Sequence, residues 1–293
     1  MITAVEVRNM TKRPGPSVRR RQLGAMLRQL RQDSGKTTRD VAEWLDIGDS
    51  AVSKIEKART TIKAQTIRAL CQLYDTDAST TDTLLRIAKE SNERGWWAAY
   101  RDTLPEWARQ LVGLEADALH LWNYEAEFIP GLLQTPAYVR ALMRANRPDM
   151  AEGDIERQVT LRRERQERLG GSQPPCLHFF LNEAVIRRPI GDSAVFREQL
   201  AHLVEASKLD HITLRIVPFS AGPHPAISGS FVMMQFPDED APAFAFVENL
   251  RGAVYQEDPG DIERYTVVVD ALDRLSLSSE DTREMLVKTV DVQ

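Results

Sequence analysis

The stretch TRDVAEWLDIGDSAVSKIEK at residues 38–57 predicts two short helices joined by a tight turn. The helices span residues 38–45 and 49–57, and each has one apolar face at helical spacing. The apolar positions are Val41, Ala42 and Leu45 in the first helix and Val52 and Ile55 in the second. The connection, Asp-Ile-Gly at residues 46–48, has the length that joins two helices in a helix-turn-helix. This stretch therefore predicts a helix-turn-helix motif.

Three further helices are predicted around the motif, one before it and two after it. Their apolar positions are Leu23, Met26, Leu27 and Leu30, then Ile67, Leu70, Cys71 and Tyr74, then Leu84, Ile87 and Ala88. Gly35 ends the first of these helices, and Thr37 is placed to cap the helix that follows. Residues 18–92 therefore predict an all-α domain of five helices.

Residues 1–17 show neither a helical nor a strand period, and they contain Pro14, Gly15 and Pro16. They predict a flexible, basic arm. Two interpretations stay open for it: a disordered tail, or an arm that follows a DNA groove as homeodomain arms do.

Positive charge is concentrated at the N-terminal end of the chain. Residues 1–75 carry 15 lysines and arginines against 8 aspartates and glutamates, whereas the rest of the chain has a balance of -12. Cationic surfaces bind DNA because phosphate neutralisation releases counterions, and an acidic surface opposes that binding. The asymmetry predicts an N-terminal domain that faces double-stranded DNA and a larger part that does not.

The outward positions of the motif and of the loop after it are polar. The candidate DNA-binding residues are Thr38, Arg39, Asp49, Ser50, Ser53, Lys54, Lys57, Arg59, Thr61 and Lys63. Side chains on the second helix of the motif would meet base edges in the major groove. Those in the loop would meet phosphates, as would Thr38 at a helix N-terminus. Taken singly, Lys54, Lys57 and Arg59 also fit an ordinary solvated surface.

Asp49 is the exception among these candidates, because a carboxylate repels phosphate. Capping the helix is the expected role for an aspartate at a helix start, although it can also accept a hydrogen bond from cytosine. Base specificity is therefore expected to depend more on Ser50, Ser53 and Lys54.

Residues 93–293 predict a helical segment followed by a sheet with helices packed on it, which places the chain in the α+β class. Trp107 to Trp122 predicts one helix, Thr135 followed by Pro136 predicts the start of another, and residues 154–169 alternate arginines with acids as in a salt-bridged surface helix.

Beyond Pro175 the apolar period changes to two, which is typical of strands. The alternating positions are Leu177, Phe179 and Leu181, then Ile212, Leu214 and Ile216, then Val232, Met234 and Phe236, then Phe244 and Phe246. The short spacing over residues 212–257 favours antiparallel hairpins, so a mainly antiparallel sheet is expected.

The chain shows little sign of catalysis. Its five histidines lack the spacing of metal ligands, its two cysteines lie far apart, and no phosphate-binding or nucleophile motif is present. We therefore expect no enzyme activity, no catalytic residue, no metal and no cofactor. The sequence has no long apolar run and no apolar signal segment at its start, which favours a cytoplasmic protein without a membrane partner.

Residues 23–74 resemble the five-helix DNA-binding domain of the lambda-repressor and Cro type, the xenobiotic-response-element (XRE) family. The resemblance is carried by Leu30-Arg31, Gly35, Thr37, Val41-Ala42, Leu45 and Val52-Ser53-Lys54-Ile55-Glu56. It implies an ion pair between Arg31 at the end of the first helix and Glu56 at the end of the third. It also implies sequence-specific DNA binding, and a homodimer on a palindromic operator is expected because one short helix reads few bases.

Residues 95–290 resemble a domain of unknown function that is common in actinobacteria and follows such a helix-turn-helix. The matching motifs are Gly95-Trp96-Trp97, Pro130 to Tyr138, Asn182-Glu183-Ala184, Pro218 to His224 and Val247-Glu248. Those regulators are antitoxin-like transcription factors of the Scr1 type, often encoded beside a small partner protein. The resemblance implies a transcriptional regulator controlled through its C-terminal domain. The alternative is an antitoxin-like interaction protein that binds a small partner and autoregulates its operon.

Overall fold

The computed structural model describes residues 16–91, 96–100, 104–171, 174–237 and 243–292 of the chain. These residues form two compact units. The N-terminal unit holds the described residues up to 99 together with residues 236–237, and the C-terminal unit holds the remainder.

The N-terminal unit contains five α-helices in its described residues. They are α1 (Pro16–Asp33), α2 (Thr38–Leu45), α3 (Asp49–Glu56), α4 (Ala64–Leu73) and α5 (Ala78–Ser91). Helix α1 begins at Pro16, so it includes the last two residues of the range predicted for the arm. Residues 1–15 of that arm lie outside the described residues.

Local signals set the helix ends of this unit. Gly35, at φ +68°, follows the end of α1 in the left-handed conformation that glycine adopts without strain. Thr37 and Asp40 form a capping box at the start of α2: the Asp40 N–H donates to Thr37 Oγ1, and the Thr37 N–H donates to Asp40 Oδ2 at 2.7 Å.

A single apolar core joins the five helices. It contains Leu23, Leu27, Val41, Ala42, Val52, Ile55, Ile67, Leu70, Cys71, Leu84, Ile87 and Ala88, all buried. Gly24 allows α1 to approach α3 closely, because a Cβ atom there would lie 2.6 Å from the Glu56 carbonyl oxygen. The predicted helical domain is present, with the helix-turn-helix formed by α2 and α3.

The C-terminal unit is built around one six-stranded sheet. Its described helices are α6 (Glu106–Glu115), α7 (Pro136–Asn146), α8 (Glu152–Leu169), α9 (Glu183–Arg187), α10 (Ser193–Ala206), α11 (Pro259–Leu275) and α12 (Ser279–Val292). The strands are β1 (His120–Glu125), β2 (Cys176–Asn182), β3 (Ile212–Val217), β4 (Phe231–Gln235), β5 (Phe244–Asn249) and β6 (Gly252–Gln256).

The strand order is β3-β2-β1-β4-β5-β6. The β1–β2 and β2–β3 pairs are parallel, and the other three pairs are antiparallel. The prediction of an α+β protein with a mainly antiparallel sheet is confirmed. The antiparallel pairing of β4 with β5 was expected from their spacing, but β3, within the same range, lies at one edge of the sheet in parallel with β2.

The helix predicted from Trp107 to Trp122 is wrong in its second half. Helix α6 ends at Glu115, and Trp122 lies in β1 between β2 and β4. Strand pairing on both sides overrides the helical spacing of the apolar residues, since β preference depends on the neighbours a side chain meets. Strand β6 and helix α12 had no counterpart in the sequence prediction.

Among the described residues, no helix has the length and apolar character needed to cross a membrane.

Candidate nucleic-acid interface

The turn between α2 and α3 fixes the direction of α3. Asp46 adopts the left-handed conformation at φ 52°, and the Ile47 N–H donates to the Ala42 carbonyl at 3.0 Å. These contacts end α2 in one turn, and Gly48 then starts α3 as its N-cap.

The two faces of α3 differ in character. Val52 and Ile55 are buried in the core of the N-terminal unit, at 2% and 9% exposure. The opposite face carries Asp49, Ser50 and Lys54 in solvent, with Ser53 half-buried beside them and Lys57 exposed just past the helix end. The core therefore holds α3 so that its polar residues point outward, as a recognition helix requires.

The capping role expected of Asp49 is not observed. Gly48 is the N-cap, and no side chain caps α3 there. Asp49 occupies the first helical position, where its carboxylate is stabilised by the positive end of the helix dipole.

The segment after α3 adds further exposed polar side chains. The Arg59 N–H donates to the Lys54 carbonyl at 2.8 Å, and Ile62 is buried at 3% exposure, so both ends of this short segment are attached. Arg59, Thr61 and Lys63 are exposed. They continue the polar surface that begins on α3.

The cations of this surface have no acidic partners in the part of the chain that the structure describes. Within the described residues, Lys54, Lys57, Arg59 and Lys63 take part in no ion pair. Uncompensated cations in solvent are available to phosphates, because binding there breaks no existing ion pair. We call residues 49–63 with these exposed side chains the α3 surface.

The start of α2 is less suited to phosphate. Thr38 is half-buried, and Arg39 is exposed and pairs with Glu43 at 3.0 Å. Hydrogen bonds from the backbone and side chain of Thr37 lower the pKa of Asp40, so a carboxylate already occupies this helix start.

Arg31 and Glu56 form a bidentate ion pair. Arg31 Nε donates to Glu56 Oε1 at 2.6 Å and a second guanidinium nitrogen donates to Oε2 at 3.1 Å, with the side chains only 12% and 8% exposed. The hydrogen bonds that Arg31 donates to Glu56 raise the pKa of Arg31. Arg31 also donates to the Lys36 carbonyl, so one guanidinium joins α1, α3 and the loop before α2.

A polar cluster that the sequence analysis missed lies on α8. Arg165 donates to both carboxylate oxygens of Glu115 at 2.7 and 2.9 Å, and Arg162 donates to Gln134 Oε1 at 2.7 Å and to Gln158. Burial lowers the pKa of Arg162 to about 10. The prediction of a salt-bridged surface helix is therefore wrong for one face of α8.

A signal for this face was present in the sequence. Ile155 and Val159 are buried, and Arg162 follows them at helical spacing on the same side. An arginine in line with an apolar stripe indicates burial with a partner, since an unpaired buried charge is costly.

The described residues contain no group of three or more side chains placed to hold a metal ion.

Two family models match most of the residues in the two units. A family model described as a helix-turn-helix domain matches residues 22–84, which include α2, α3 and the α3 surface. A second model, described as a domain of unknown function (DUF5753), matches residues 108–288. No curated protein matches the chain. No solved structure matches it either.

Proposed function

The chain belongs to the DUF5753 family and has a helix-turn-helix domain before that region, and we propose that it is a sequence-specific transcriptional regulator. The helix-turn-helix domain indicates a DNA-binding regulator rather than an enzyme. The observation that carries the proposal is the α3 surface, where the core buries Val52 and Ile55 and leaves cations in solvent that pair with no acid among the described residues.

The roles on the α3 surface follow from position. Ser50, Ser53 and Lys54 would contact base edges from α3. Lys57, Arg59, Thr61 and Lys63 would contact phosphates and fix the register on the duplex. Thr38 and Arg39 would contribute less to binding of the DNA phosphates, because the Asp40 carboxylate lies beside them in the first turn of α2.

The test compares two variants against an operator selected from the DNA upstream of the gene. Lys54→Ala is expected to relax base preference by about 1–3 kcal/mol, whereas Arg59→Ala weakens all sequences alike and lowers the salt slope by about one. Arg274→Ala, on an exposed arginine of α11, is the control. Equal effects of Lys54→Ala and Arg59→Ala on base specificity would show that the base-contacting and phosphate-contacting residues of the α3 surface are assigned wrongly.

The regulator is proposed to act as an XRE-type homodimer. One eight-residue recognition helix contacts few base pairs, and a two-fold dimer reads two half-sites about 34 Å apart. A footprint on a palindromic sequence supports this arrangement, and protection of a single half-site contradicts it.

We assign residues 18–92 as the DNA-binding domain and residues 93–293 as the regulatory domain, ranges that contain the two family matches. The C-terminal domain would bind a signal or partner and shift the equilibrium between DNA-binding conformations. DNA affinities measured by calorimetry that are equal with and without the partner would contradict regulation through the C-terminal domain.

A second function is favoured by exposed apolar side chains of the C-terminal unit. Phe219 and Ile227 are 60% and 73% exposed in the segment after β3. Exposed apolar groups on a loop held by a sheet suit a protein partner. The chain would then be an antitoxin-like protein of the Scr1 type, as in actinobacteria, and co-purification with the product of the adjacent gene would distinguish the two functions.

A further inference from the structure

Three neighbouring strands place two acids on either side of a serine. The pairing of β1, β4 and β5, continued by two residues, sets Glu125 opposite Ser230 and Ser230 opposite Glu248. The Ala126 N–H donates to Ser230 Oγ at 3.1 Å, which agrees with this register. Residues opposite each other in a sheet share a face, so the two carboxyl groups flank a small side chain, with their strands about 10 Å apart. We call Glu125, Ser230 and Glu248 the carboxyl row.

The carboxyl row lies where the connections of the sheet diverge. Strand β2, which follows β1 after α7 and α8, pairs on one side of β1, and β4 pairs on the other side. Glu125 is the last residue of β1. In α/β sheets, ligands bind beyond the carboxyl end of a strand at such a point, because connections that leave in opposite directions open a crevice there.

Neither acid of the row has a cationic partner in the described part of the chain. Glu125 is 9% exposed, its Oε1 accepts from Asn123 Nδ2 at 3.3 Å, and its Oε2 accepts no hydrogen bond from a described residue. Glu248 is exposed, and its carboxylate forms no ion pair with a described residue. The surrounding protein removes water from both carboxyl groups and so raises the pKa of each. A positive charge beside them is therefore favoured.

A guanidinium of α8 near the row also lacks an acid. Arg162 donates to the amide oxygens of Gln134 at 2.7 Å and Gln158 at 3.0 Å, and it forms no ion pair among the described residues. Arg162 and Glu248 are close enough for their charges to attract each other, yet they are not in contact. Charges removed from water are costly unless they are paired, so a ligand that carries both charges would compensate the two side chains.

Gly131 places no side chain over the arginines of α8. A Cβ atom at this position would lie 3.9 Å from Arg162 Nε and 3.5 Å from a terminal nitrogen of Arg165. Glycine allows a ligand to approach closely at such a place. Arg165 is already paired with Glu115, which leaves Arg162 as the cation for a ligand.

We propose that the carboxyl row and Arg162 bind a small zwitterion with the chemistry of a free amino acid. Its ammonium group donates to Glu248 and Glu125, and its carboxylate accepts hydrogen bonds from Arg162. The inference rests on the proposed regulatory role of the C-terminal domain, for which it names the class of signal. Binding of the zwitterion does not depend on DNA contact by the α3 surface.

Thermal unfolding of the full chain tests the charge of the ligand. The probes are the standard amino acids one at a time, methylammonium and acetate, all at the same ionic strength. A ligand that binds only the folded chain raises the unfolding midpoint, so at least one amino acid should raise it. Methylammonium and acetate carry one charge each and should raise it less. The proposal is overturned if no amino acid raises the midpoint, or if either single-charge probe raises it as much.

Glu248→Gln tests where the ammonium group binds. Calorimetry with the amino acid that raises the midpoint most should give a dissociation constant about tenfold higher in this variant, because a charge-assisted hydrogen bond is lost. Glu263→Gln, on an exposed acid of α11, is the matched control and should leave the constant unchanged. An unchanged constant in Glu248→Gln would place the ligand elsewhere and overturn the site.

A chemical probe tests Arg162 without altering the fold. The methyl ester of the same amino acid lacks the carboxylate and should bind the wild-type chain about tenfold more weakly. In Arg162→Gln, the preference for the acid over the ester should disappear. An ester that binds the wild-type chain as tightly as the acid would overturn the role of Arg162.

The outcomes separate this site from the proposed function. A chain that binds its operator but no amino acid would overturn the site alone. Amino-acid binding that depends on Glu248 and leaves operator affinity unchanged would support the site and contradict regulation through it.

Discussion

The α3 surface and helix α8 are both rich in basic residues, yet the basic side chains of the two regions have opposite environments. On the α3 surface, the lysines and arginines lie in solvent with no ion pair among the described residues. On α8, Arg162 and Arg165 turn inward and bind Gln134 and Glu115, and Arg163 lies near Glu167 at the surface.

The difference shows that the number of cations does not identify a nucleic-acid interface. A phosphate must compete with any carboxylate that an arginine already binds, and a buried guanidinium cannot reach DNA at all. The partners of the cations, which depend on tertiary structure, therefore distinguish the proposed DNA-facing surface from a structural helix.

The largest effect is expected from breaking the buried pair of α8. Arg165→Ala leaves the Glu115 carboxylate, 5% exposed, without its guanidinium and should lower the free energy of unfolding by about 3–5 kcal/mol. Urea titration of the full chain measures the loss. Arg163→Ala removes an exposed pair of 3.9 Å and should cost less than about 0.5 kcal/mol. Similar losses for both would mean that the two faces of α8 are equivalent.

Glu125, the last residue of β1, should make the free energy of unfolding depend on pH. Burial raises the pKa of Glu125 to about 7 from an ordinary 4.5, and nearby Glu248 adds to the rise. Between these values the unfolded chain loses the proton that the folded chain keeps, so stability falls by about 3 kcal/mol as pH rises from 4.5 to 7.

Glu125→Gln should remove that slope and make the protein more stable than wild type at pH 8, with no gain at pH 4. Unfolding free energies at several pH values measure the slope, and Glu263→Gln, an exposed carboxylate on α11, is the control. An unchanged slope in Glu125→Gln would assign the pH dependence to another group.

Breaking the pair that positions α3 should have a smaller effect. Arg31→Ala removes two charge-assisted hydrogen bonds to Glu56 and should destabilise the N-terminal unit by about 2 kcal/mol. Hydrogen exchange of the α3 amides should then accelerate about 30-fold. Arg39→Ala, which breaks only an exposed pair, should leave exchange nearly unchanged.

The smallest expected effect tests the comparison on DNA. Lys57→Glu should weaken operator binding about tenfold at physiological salt and lower the salt slope by about one. Arg163→Glu reverses an exposed charge on α8 and should change affinity by less than about twofold. Fluorescence anisotropy of labelled operator measures both, and a loss for Arg163→Glu as large as that for Lys57→Glu would erase the distinction between the two segments.

Local signals predicted the elements whose stability is local. Thr37, and Thr135 with Pro136, mark helix starts that the structure places at those residues. The apolar stripes of α2 and α3 identified their buried faces, since a helix of eight residues has few alternatives for its core side. The pair of Arg31 and Glu56 was expected from family resemblance rather than from spacing.

The order of the strands and the burial of the α8 arginines could not be predicted from the local sequence pattern. Trp122 sits at helical spacing after Trp107, yet it lies in a central strand because β2 and β4 pair on either side of it. Arg162 resembles its exposed neighbours in sequence, and its burial is made tolerable by hydrogen bonds to Gln134, 28 residues away, and to Gln158.

The sequence by itself determined the helical motif, its buried face and the excess of positive charge around it, because these depend on residues within one or two helical turns. The tertiary structure alone decided which cations lie in solvent and which charges are buried. Those properties depend on partners distant in the chain, whose contacts form only when the whole unit has folded.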